Sequence, residues 1–458
     1  MSTRVERDSI GEIEVPADHY WGAQTQRSIA HFAIGDDRMP LAMCHALAYV
    51  KKAAAVVSAR NASLPHWKAE LIVQVADEII DGRLDDEFPL FLFQTGSGTH
   101  TNMNVNEVIA NRAIQLHGGV MGSKDPIHPN DDVNMSQSSN DTFPTAMHIA
   151  TVRAVVGDLL PALTALRDSV ALKSRAWSDV VKIGRTHLQD ATPLTVGQEW
   201  SGYQAQLDDA IAEVHHALVG VHRLAIGGTA VGTGLNAPAG FGDEVAAELA
   251  QLTGQPFVGA PNRFAAQSAM DDLVRLSAAL RGVAVALYKF ANDVRWSASG
   301  PRAGLDELHL PANEPGSSIM PGKVNPSQAE AMLQVCIQVM ANDSAVAMAG
   351  AEGNFQLNVF RPVAIGNVLR SIALLAGTCT HTRQFLVEGA DLNRDRLQAN
   401  VDRSVMLVTA LSPSIGYDRA AAITHLAIEH DLTLRDAALR SGVSPEDFDR
   451  IVDPSTLV

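Results

Sequence analysis

The sequence predicts a mainly α-helical protein organised around a long central helical bundle. Alanine, leucine and valine are abundant, whereas aromatic residues make up only 5% of the chain, and this balance favours closely packed helices over large β-sandwiches. Long stretches with a helical apolar period recur along the middle of the chain. A chain of 458 residues is also too long for one ordinary core, which predicts two or three domains or one large elongated body.

The first long helix is predicted between Pro144 and about Ser178. Its apolar residues recur in steps of three and four, which is the spacing of an amphipathic helix. At about 1.5 Å per residue such a helix approaches about 50 Å, so it needs long neighbours to bury its apolar stripe. Pro161 lies inside this helix and predicts a kink. The apolar positions are Val152, Val155, Val156, Leu159, Leu160, Leu163, Leu166 and Val170.

Three more long helices are predicted at roughly 196–225, 265–297 and 327–350. Most of the last one reads MLQVCIQVMANDSAVAMAG and is apolar on nearly all sides, so we expect it deep in the bundle and in contact with other subunits. The shorter helical patterns on either side predict flanking domains. The predicted domains are an N-terminal mixed, mostly helical domain (1–137), a central long-helix bundle (138–390) and a small helical C-terminal domain (391–458).

The composition indicates which classes of partner and which cellular compartment to expect. A net charge of -16 and a pI near 5.4 argue against non-specific binding to nucleic acid or anionic membranes, so neither partner is expected. We expect no apolar run long enough to span a bilayer, and the first residues lack the apolar core of a signal peptide. Cys44, Cys336 and Cys379 are far apart and match no metal spacing, which argues against disulfides and iron–sulfur clusters. These points predict a cytoplasmic protein.

Two glycine-rich stretches resemble nucleotide-binding loops only superficially. Residues 232–237, GTGLNA, fit a loose dinucleotide fingerprint, but the residues before them have helical spacing where that motif needs a strand. Residues 96–99, GSGT, lack the lysine of a P-loop. A plain backbone turn and a loop that offers amides and hydroxyls to an anion are both open for this second stretch.

Four polar loops, each next to a long helix, are the candidate functional segments. They are 97–104 (SGTHTNMN), 128–141 (HPNDDVNMSQSSND), 182–190 (KIGRTHLQD) and 314–326 (EPGSSIMPGKVNP). Any one of them alone reads as a solvated connection. Together they concentrate hydroxyls, amides, a lysine and a histidine on loops held by a rigid scaffold, where binding groups are usually found. Such groups can hold two carboxylates and move protons near neutral pH.

The loops resemble the active-site segments of the fumarase/aspartase superfamily. GSSIMPGKVNP (316–326) is similar to its signature loop, and the likeness extends over nearly the whole chain. GRTHLQDATPLTVGQE (184–199), QSSNDTFPTA (137–146) and TGSGTHTNMNVNEV (95–108) are similar to its other three segments, in the same order and spacing. The resemblance implies the superfamily's three-domain fold, with a central bundle that assembles into the multi-helix core of a homotetramer and active sites shared between subunits.

Within the superfamily, the details resemble class II, iron-independent fumarases. Gly322 stands where aspartases usually have alanine, and His187 stands where they commonly have glutamine. Ser327 and Ala329 replace a threonine and a cysteine common in the family, and Asp125 stands where some members have a basic residue. An aspartate ammonia-lyase on the same scaffold, or a non-catalytic structural relative, are the alternatives.

The resemblance implies reversible, stereospecific hydration of fumarate to L-malate in the citric acid cycle. The expected mechanism is general acid/base catalysis through an aci-carboxylate intermediate, with no cofactor and no metal. The resemblance assigns the role of base to Ser317 and the binding of one carboxylate to Lys323. It assigns to His187 the proton transfer to or from water, with Glu330 as the charge partner of this histidine. The implied substrate-binding residues are Ser97, Thr99, Ser138, Ser139, Asn140, Thr186, Ser318, Lys323 and Asn325. A second anion site is implied at His128, Asn130 and Asp131.

Overall fold

The computed structural model describes residues 2–458 and confirms a mainly α protein, because 62% of residues lie in helices and 8% in strands. Short 3₁₀ and π-helical turns connect several of the helices. The α-helices are α1 Ala23–His31, α2 Leu41–Arg60, α3 His66–Ile80, α4 Thr99–Leu116, α5 Ser139–Ala154, α6 Leu160–Ala176, α7 Val196–Val221, α8 Phe241–Thr253, α9 Arg263–Ser268, α10 Asp271–Ser297, α11 Ser327–Ala351, α12 Arg361–Thr382, α13 Arg394–Arg403, α14 Ser412–Ile415, α15 Tyr417–Glu429, α16 Leu434–Arg440 and α17 Pro445–Ile451.

The strands form only two-stranded sheets within the described residues. Four of these sheets are antiparallel and one is parallel, so they fix loops and do not form a sheet core. The pairs are β1 Thr3–Arg7 with β2 Glu12–Pro16, β3 Val181–Thr186 with β4 Gln189–Thr195, β5 Arg223–Leu224 with β6 Val258–Gly259, β7 Leu308–His309 with β10 Asp391–Leu392, and β8 Gly353–Asn354 with β9 Leu357–Asn358.

The predicted long helices are present. α7, α10 and α11 have 26, 27 and 25 residues. The helix predicted from Pro144 extends over Ser139–Ala176, and the turn Val155–Leu159, just before Pro161, is π-helical. A proline removes one backbone donor and crowds the preceding turn, so the wider π turn lets the helix continue past Pro161.

By its internal contacts the chain divides into two compact units. Unit 1 comprises residues up to Leu160, Ala212–Gly282 and Ile337–Leu375, and in it α2 packs against α3, α5 and α8. Unit 2 comprises Pro161–Ile211, Val283–Cys336 and Ala376–Val458. Its C-terminal core gathers apolar residues of α13, α15, α16 and α17 with one strand residue, Ile183. The three-domain division at 137 and 390 stays a prediction, because contact clustering groups stretches that are distant in sequence.

The expectation that no apolar run could span a bilayer is wrong by length and composition. Leu41–Arg60, Ser139–Ala176 and Arg361–Val387 reach a mean hydropathy of 1.2, 1.6 and 1.4 over 18-residue windows. The reason is their richness in alanine, valine, leucine and isoleucine, which also suits a tightly packed core. Within the chain, 67%, 50% and 56% of the three windows are buried.

Candidate active site

The first candidate loop in unit 1 ends at the start of α4, which needs a glycine. Gly98 has a φ of 77°, and a methyl group on it would lie 2.2 Å from the ring of Phe143. The chain therefore turns sharply into the helix against a buried aromatic ring. The hydroxyl oxygens of Ser97 and Thr99 lie 2.7 Å apart beside this turn. Both hydroxyls thus stand at the positive end of a long helix, where an anion is favoured.

The second candidate loop begins α5 with a capping box. The Ser138 hydroxyl accepts the backbone N–H of Asn140 at 3.2 Å, and the Ser138 N–H donates to the Asp141 carboxylate at 2.9 Å. The Asn140 Nδ2 donates to the carbonyl of Ala230 at 2.8 Å. These bonds fix the backbone of the predicted substrate-binding residues before any ligand is present.

Asn102 joins these two loops. Its Nδ2 donates to the Ser139 hydroxyl at 3.0 Å and to Asn134 Oδ1 at 3.2 Å, and its Oδ1 accepts from the Thr142 hydroxyl at 3.1 Å. Asn102 is completely buried. One buried carboxamide of α4 therefore holds a predicted substrate-binding hydroxyl of the second loop, that of Ser139.

The predicted second anion site forms a capped π-helical turn, Pro129–Val133. His128 Nδ1 accepts the backbone N–H groups of Asn130 and Asp131 at 3.2 and 3.1 Å. Because Nδ1 accepts, the neutral ring carries its proton on Nε2, which remains free to donate to a ligand. The Asp131 carboxylate also lies 3.4 Å from Nδ1. The three residues do lie together, and their role as an anion site stays a prediction.

In unit 2, His187 occupies the tip of the β3–β4 hairpin. Thr186 pairs with Gln189, so His187 and Leu188 form a two-residue turn, and their φ values are 56° and 62°. Positive φ at both central positions is the type I′ arrangement, which favours asparagine and glycine. Thr186 and His187 are exposed, and in the described part of the chain the imidazole makes no side-chain hydrogen bond.

A buried ion network anchors this hairpin from below. Lys182 in β3 lies 2.9 Å from Glu199 and 3.2 Å from Glu307, and Arg185 lies 2.7 Å from Glu307. Burial alone would raise the pKa of the Glu307 carboxyl, but the bonds from Arg185 and Lys182 lower it overall. Two contacts therefore hold the hairpin that carries His187: the ion pairs of Lys182 and Arg185 near its tip, and the packing of Ile183 in the C-terminal core.

The 314–326 loop places backbone donors on its serine. The Ser317 hydroxyl oxygen accepts the N–H groups of Ile319 and Met320 at 3.3 and 3.0 Å. Two convergent amides form a nest that favours negative charge on that oxygen. Gly322, with a φ of 81°, turns the chain after Pro321. The irregular backbone of this loop thus directs two N–H donors at the Ser317 hydroxyl oxygen.

The end of this loop is closed by its own polar side chains. Lys323 Nζ donates to Asn325 Oδ1 at 2.7 Å, and Asn325 Nδ2 donates to the carbonyl of Gly316 at 2.5 Å. Glu330 lies in the first turn of α11 and is exposed. Over residues 2–458 no ion pair joins Glu330 to His187, so that predicted partnership does not form within one chain and stays a prediction.

Each unit thus presents its own part of the predicted site. Unit 1 holds Ser97, Thr99 and residues 138–140, and unit 2 holds residues 186–187 and 317–325. Sequence reasoning missed Lys51 and Arg361, which are buried behind the unit 1 loops, and did not single out the buried Asn102 and Asp141 within the candidate segments. Across the described residues, no group of three or more His, Cys, Asp or Glu side chains lies together as a metal-ligand set.

Known proteins resemble this chain over nearly its whole length. A lyase family model matches residues 11–341, and a model for the fumarase C C-terminus matches residues 407–458. A class II fumarate hydratase from Methanosarcina acetivorans is 64% identical over 456 residues, covering 99% of this chain and 94% of the relative. Another, from Thermosynechococcus vestitus, is 61% identical over 451 residues, covering 98% and 97%.

This chain belongs to the class II fumarate hydratase family. The resemblance seen in the four loops is thereby confirmed. The fold agrees as well, because the crystal structure of a class II fumarase from Schistosoma mansoni matches with a TM-score of 0.98 at 42% identity, covering 100% of this chain and 99% of that one. Membership in this family assigns a lyase chemistry to the chain.

Proposed function

We propose that this enzyme catalyses the reversible, stereospecific hydration of fumarate to L-malate as a step of the citric acid cycle. The observation that carries the proposal is the Ser317 oxygen with two backbone N–H donors at 3.0 and 3.3 Å, on the loop whose sequence matches the family. A serine that must act as a base needs its alkoxide stabilised, and such donors supply that.

In the malate direction the base removes a proton from the carbon next to one carboxylate. The electron pair moves into that carboxylate and gives an aci-carboxylate with extra negative charge, which prearranged donors must hold. The carbon–oxygen bond then breaks, and the hydroxide takes a proton to leave as water. Ser317 accepts the first proton in this proposal, and hydration reverses the same steps.

We assign the water side of the reaction to His187. An imidazole near neutral pH can give a proton to a departing hydroxide or take one from an incoming water. Its exposed place at the tip of an anchored hairpin supports this role, because the hairpin fixes the backbone of His187 while the ring has no hydrogen-bond partner within the described residues. Glu330 is the proposed charge partner, supplied from another copy of the chain.

The two carboxylates of the substrate are proposed to bind to donors from the four polar loops. Lys323 and Asn325 would bind one carboxylate. The hydroxyls beside the starts of α4 and α5 would donate hydrogen bonds to the two carboxylates. The helix starts at Thr99 and Ser139 support this, since orphan N–H groups there favour anions. The full proposed set is Ser97, Thr99, Ser138, Ser139, Asn140, Thr186, Ser318, Lys323 and Asn325.

We further propose a cytoplasmic homotetramer whose active sites are shared between subunits. Apolar side chains left exposed on the long helices support association of several copies of the chain. On α11, Ile337 and Met348 are 58% and 72% exposed in one chain. Half or more of each of the three apolar helix segments is buried within the chain. This burial supports a place for these helices in a protein core and not in a membrane.

The test is the ultraviolet absorbance of the fumarate double bond after L-malate is added to chelator-treated protein. A rise establishes metal-independent hydratase activity. No rise with malate, but formation of fumarate from L-aspartate, would identify an ammonia-lyase and contradict the inference from His187 and Gly322. Gel filtration of the same sample tests the tetramer.

A further inference from the structure

The charges buried beneath the loop of Ser138–Asn140 do not balance within unit 1. Lys51 on α2, Arg361 on α12 and Asp141 on α5 each have 0% of their surface exposed. Two of these groups are cations and one is a carboxylate, which leaves one positive charge uncompensated. Burying an uncompensated charge is costly, so the group loses its proton more readily unless a compensating charge is supplied.

The ammonium group of Lys51 is held only by neutral oxygens. Its Nζ donates to Asn134 Oδ1 at 2.8 Å and to Gln137 Oε1 at 3.0 Å. No carboxylate of the described chain lies within ion-pair distance of it. The carboxylate of Asp141 instead accepts backbone N–H groups at the start of α5 and in the loop after β5, including Gly227 and Thr229 at 3.0 and 2.9 Å.

Arg361 adds the second cation directly beneath the same loop. Its Nη1 donates to the backbone carbonyl of Asn140 at 3.0 Å and its Nη2 to that of Gln267 at 2.6 Å. Its Nε has no partner in the described chain. The guanidinium therefore fixes the backbone of a predicted substrate-binding residue while its charge stays unpaired by any direct ion pair.

A short chain of hydrogen bonds joins Lys51 to the site. Asn134 Oδ1 accepts from Lys51, Asn102 and Asn106, at 2.8, 3.2 and 3.2 Å. The same Asn102 Nδ2 also donates to the Ser139 hydroxyl at 3.0 Å. Only two side chains thus separate the buried ammonium from a hydroxyl that is proposed to bind a carboxylate.

We propose that Lys51 is a positioning residue of the substrate site, whose buried positive charge is balanced by the bound dicarboxylate dianion. The inference rests on the proposed function, because it requires a dianion over the loops of α4 and α5. Lys51 then has two effects. Its charge favours the dianion over a monocarboxylate, and its hydrogen bonds hold Asn134 and, through Asn102, the Ser139 hydroxyl.

Binding should also be linked to protons through this lysine. Burial lowers the pKa of Lys51 to about 7, and Asp141 is the charged group that raises it in return. A bound dianion stabilises the ammonium form and raises that pKa further. Three other carboxylates on helices packed against α2 have their own partners: Asp77 with Lys52, Glu248 with Arg60, and Glu107 with the N–H groups of Gly22, Gln24 and Thr25.

The experiment compares three variants of the full-length enzyme. Lys51→Met removes the charge at similar volume, Lys51→Gln keeps an amide donor without charge, and Lys52→Met removes the neighbouring lysine, which pairs with Asp77 instead. The probes are succinate, a saturated dicarboxylate, and butyrate, a monocarboxylate. Calorimetry at pH 8 in two buffers of different ionisation enthalpy gives the affinity and the protons taken up.

We expect the wild type and Lys52→Met to take up a proton fraction on binding succinate, and both Lys51 variants to take up none. Succinate should bind about tenfold or more weakly to both Lys51 variants, with a smaller change for butyrate. The Gln variant guards against misfolding, because it can keep a bond to Asn134. Unchanged succinate affinity and proton uptake in folded Lys51→Gln would overturn the inference. Turnover of fumarate by the wild-type enzyme tests the proposed function separately.

Discussion

The hydroxyl oxygen of Ser317 accepts a hydrogen bond from the backbone N–H of Met320 at 3.0 Å. A second N–H, from Ile319, points at the same oxygen. Ser317→Ala should lower turnover of L-malate by roughly 10²- to 10⁴-fold, the range for loss of a general base. The methyl group leaves the loop backbone unchanged, so succinate binding and the oligomeric state should persist. Steady-state kinetics with gel filtration checks this.

Ser9→Ala is the matched control for that substitution. Ser9 is exposed in the turn between β1 and β2, and its hydroxyl makes no hydrogen bond in the described chain. Its loss should leave turnover within about twofold of the wild type. If Ser317→Ala instead unfolds the enzyme or abolishes succinate binding, the serine is structural and the assignment of the base is wrong.

His187→Asn should remove the imidazole and keep the hairpin. The φ of 56° at this position is a conformation that asparagine adopts more readily than histidine. We therefore expect a melting temperature equal to or above that of the wild type, with turnover lowered roughly 10²-fold or more. Calorimetric melting and malate kinetics on one preparation separate the two effects.

His430→Asn is the control for this loss of a ring. His430 is exposed at the C-terminal end of α15. It should leave turnover unchanged. Near-wild-type activity in His187→Asn would remove this histidine from the mechanism, and a large drop in melting temperature would show that the ring, and not the turn, holds the hairpin.

Local patterns predicted the long helices and where the polar segments lie, but residues 182–190, expected as a loop, form the β3–β4 hairpin. The period of Val152 to Val170 predicts a long helix because burial of a stripe depends only on spacing along the chain. The loops follow from glycine, proline and hydroxyl residues, whose backbone preferences are local. The turn geometry at His187 has no such signal, because neither His187 nor Leu188 is a typical residue for positive φ.

The buried charges could not be predicted in this way. Lys51 lies beside Lys52 in a helix, and the pair reads as a solvated face, yet the first is fully buried while Lys52 pairs with Asp77. Which side chain is buried depends on helices distant in sequence that pack over α2. The expected pairing of His187 with Glu330 stays a prediction, because no ion pair joins the two residues within the described part of the chain.

Gly98→Ala should destabilise the enzyme by roughly 2 to 4 kcal/mol, as the sum of positive-φ strain and overpacking. The added methyl would meet the Phe143 ring at 2.2 Å, and that ring is completely buried and cannot move freely. Displacement of the ring or of the turn also moves Thr99, so affinity for succinate should fall. Denaturant unfolding at fixed chain concentration measures the change in free energy.

Gly118→Ala separates the two contributions. Gly118 follows the other end of α4 with a φ of 83°, and nothing lies within 4 Å of an added methyl. This control should cost only about 1 kcal/mol, the strain alone. Equal losses of stability in the two variants would mean that Phe143 yields to the methyl group and does not restrict the loop.

The stability of the ligand-free enzyme should depend on pH through Lys51. Burial lowers the pKa of its ammonium to about 7, whereas an unfolded lysine titrates near about 10.4. Between these values the unfolded chain binds more protons, so raising the pH stabilises the folded state, by at most about 1.4 kcal/mol per pH unit. Burial raises the pKa of Asp141 to about 6, and its opposite effect, a loss of stability as pH rises, ends below this window.

Lys51→Met removes the group that causes this slope. Between pH 7 and 9 the wild type should therefore gain free energy of unfolding relative to Lys51→Met, while Lys52→Met follows the wild type, because that variant keeps Lys51 and loses only the lysine that pairs with Asp77. At pH 7 the methionine variant should be at least as stable as the wild type, since a buried ammonium without a carboxylate partner is costly. Denaturant unfolding at equal chain concentration checks the difference at each pH. Parallel curves for the wild type and Lys51→Met would mean that Lys51 is charged throughout, with a compensating partner already present before substrate binds.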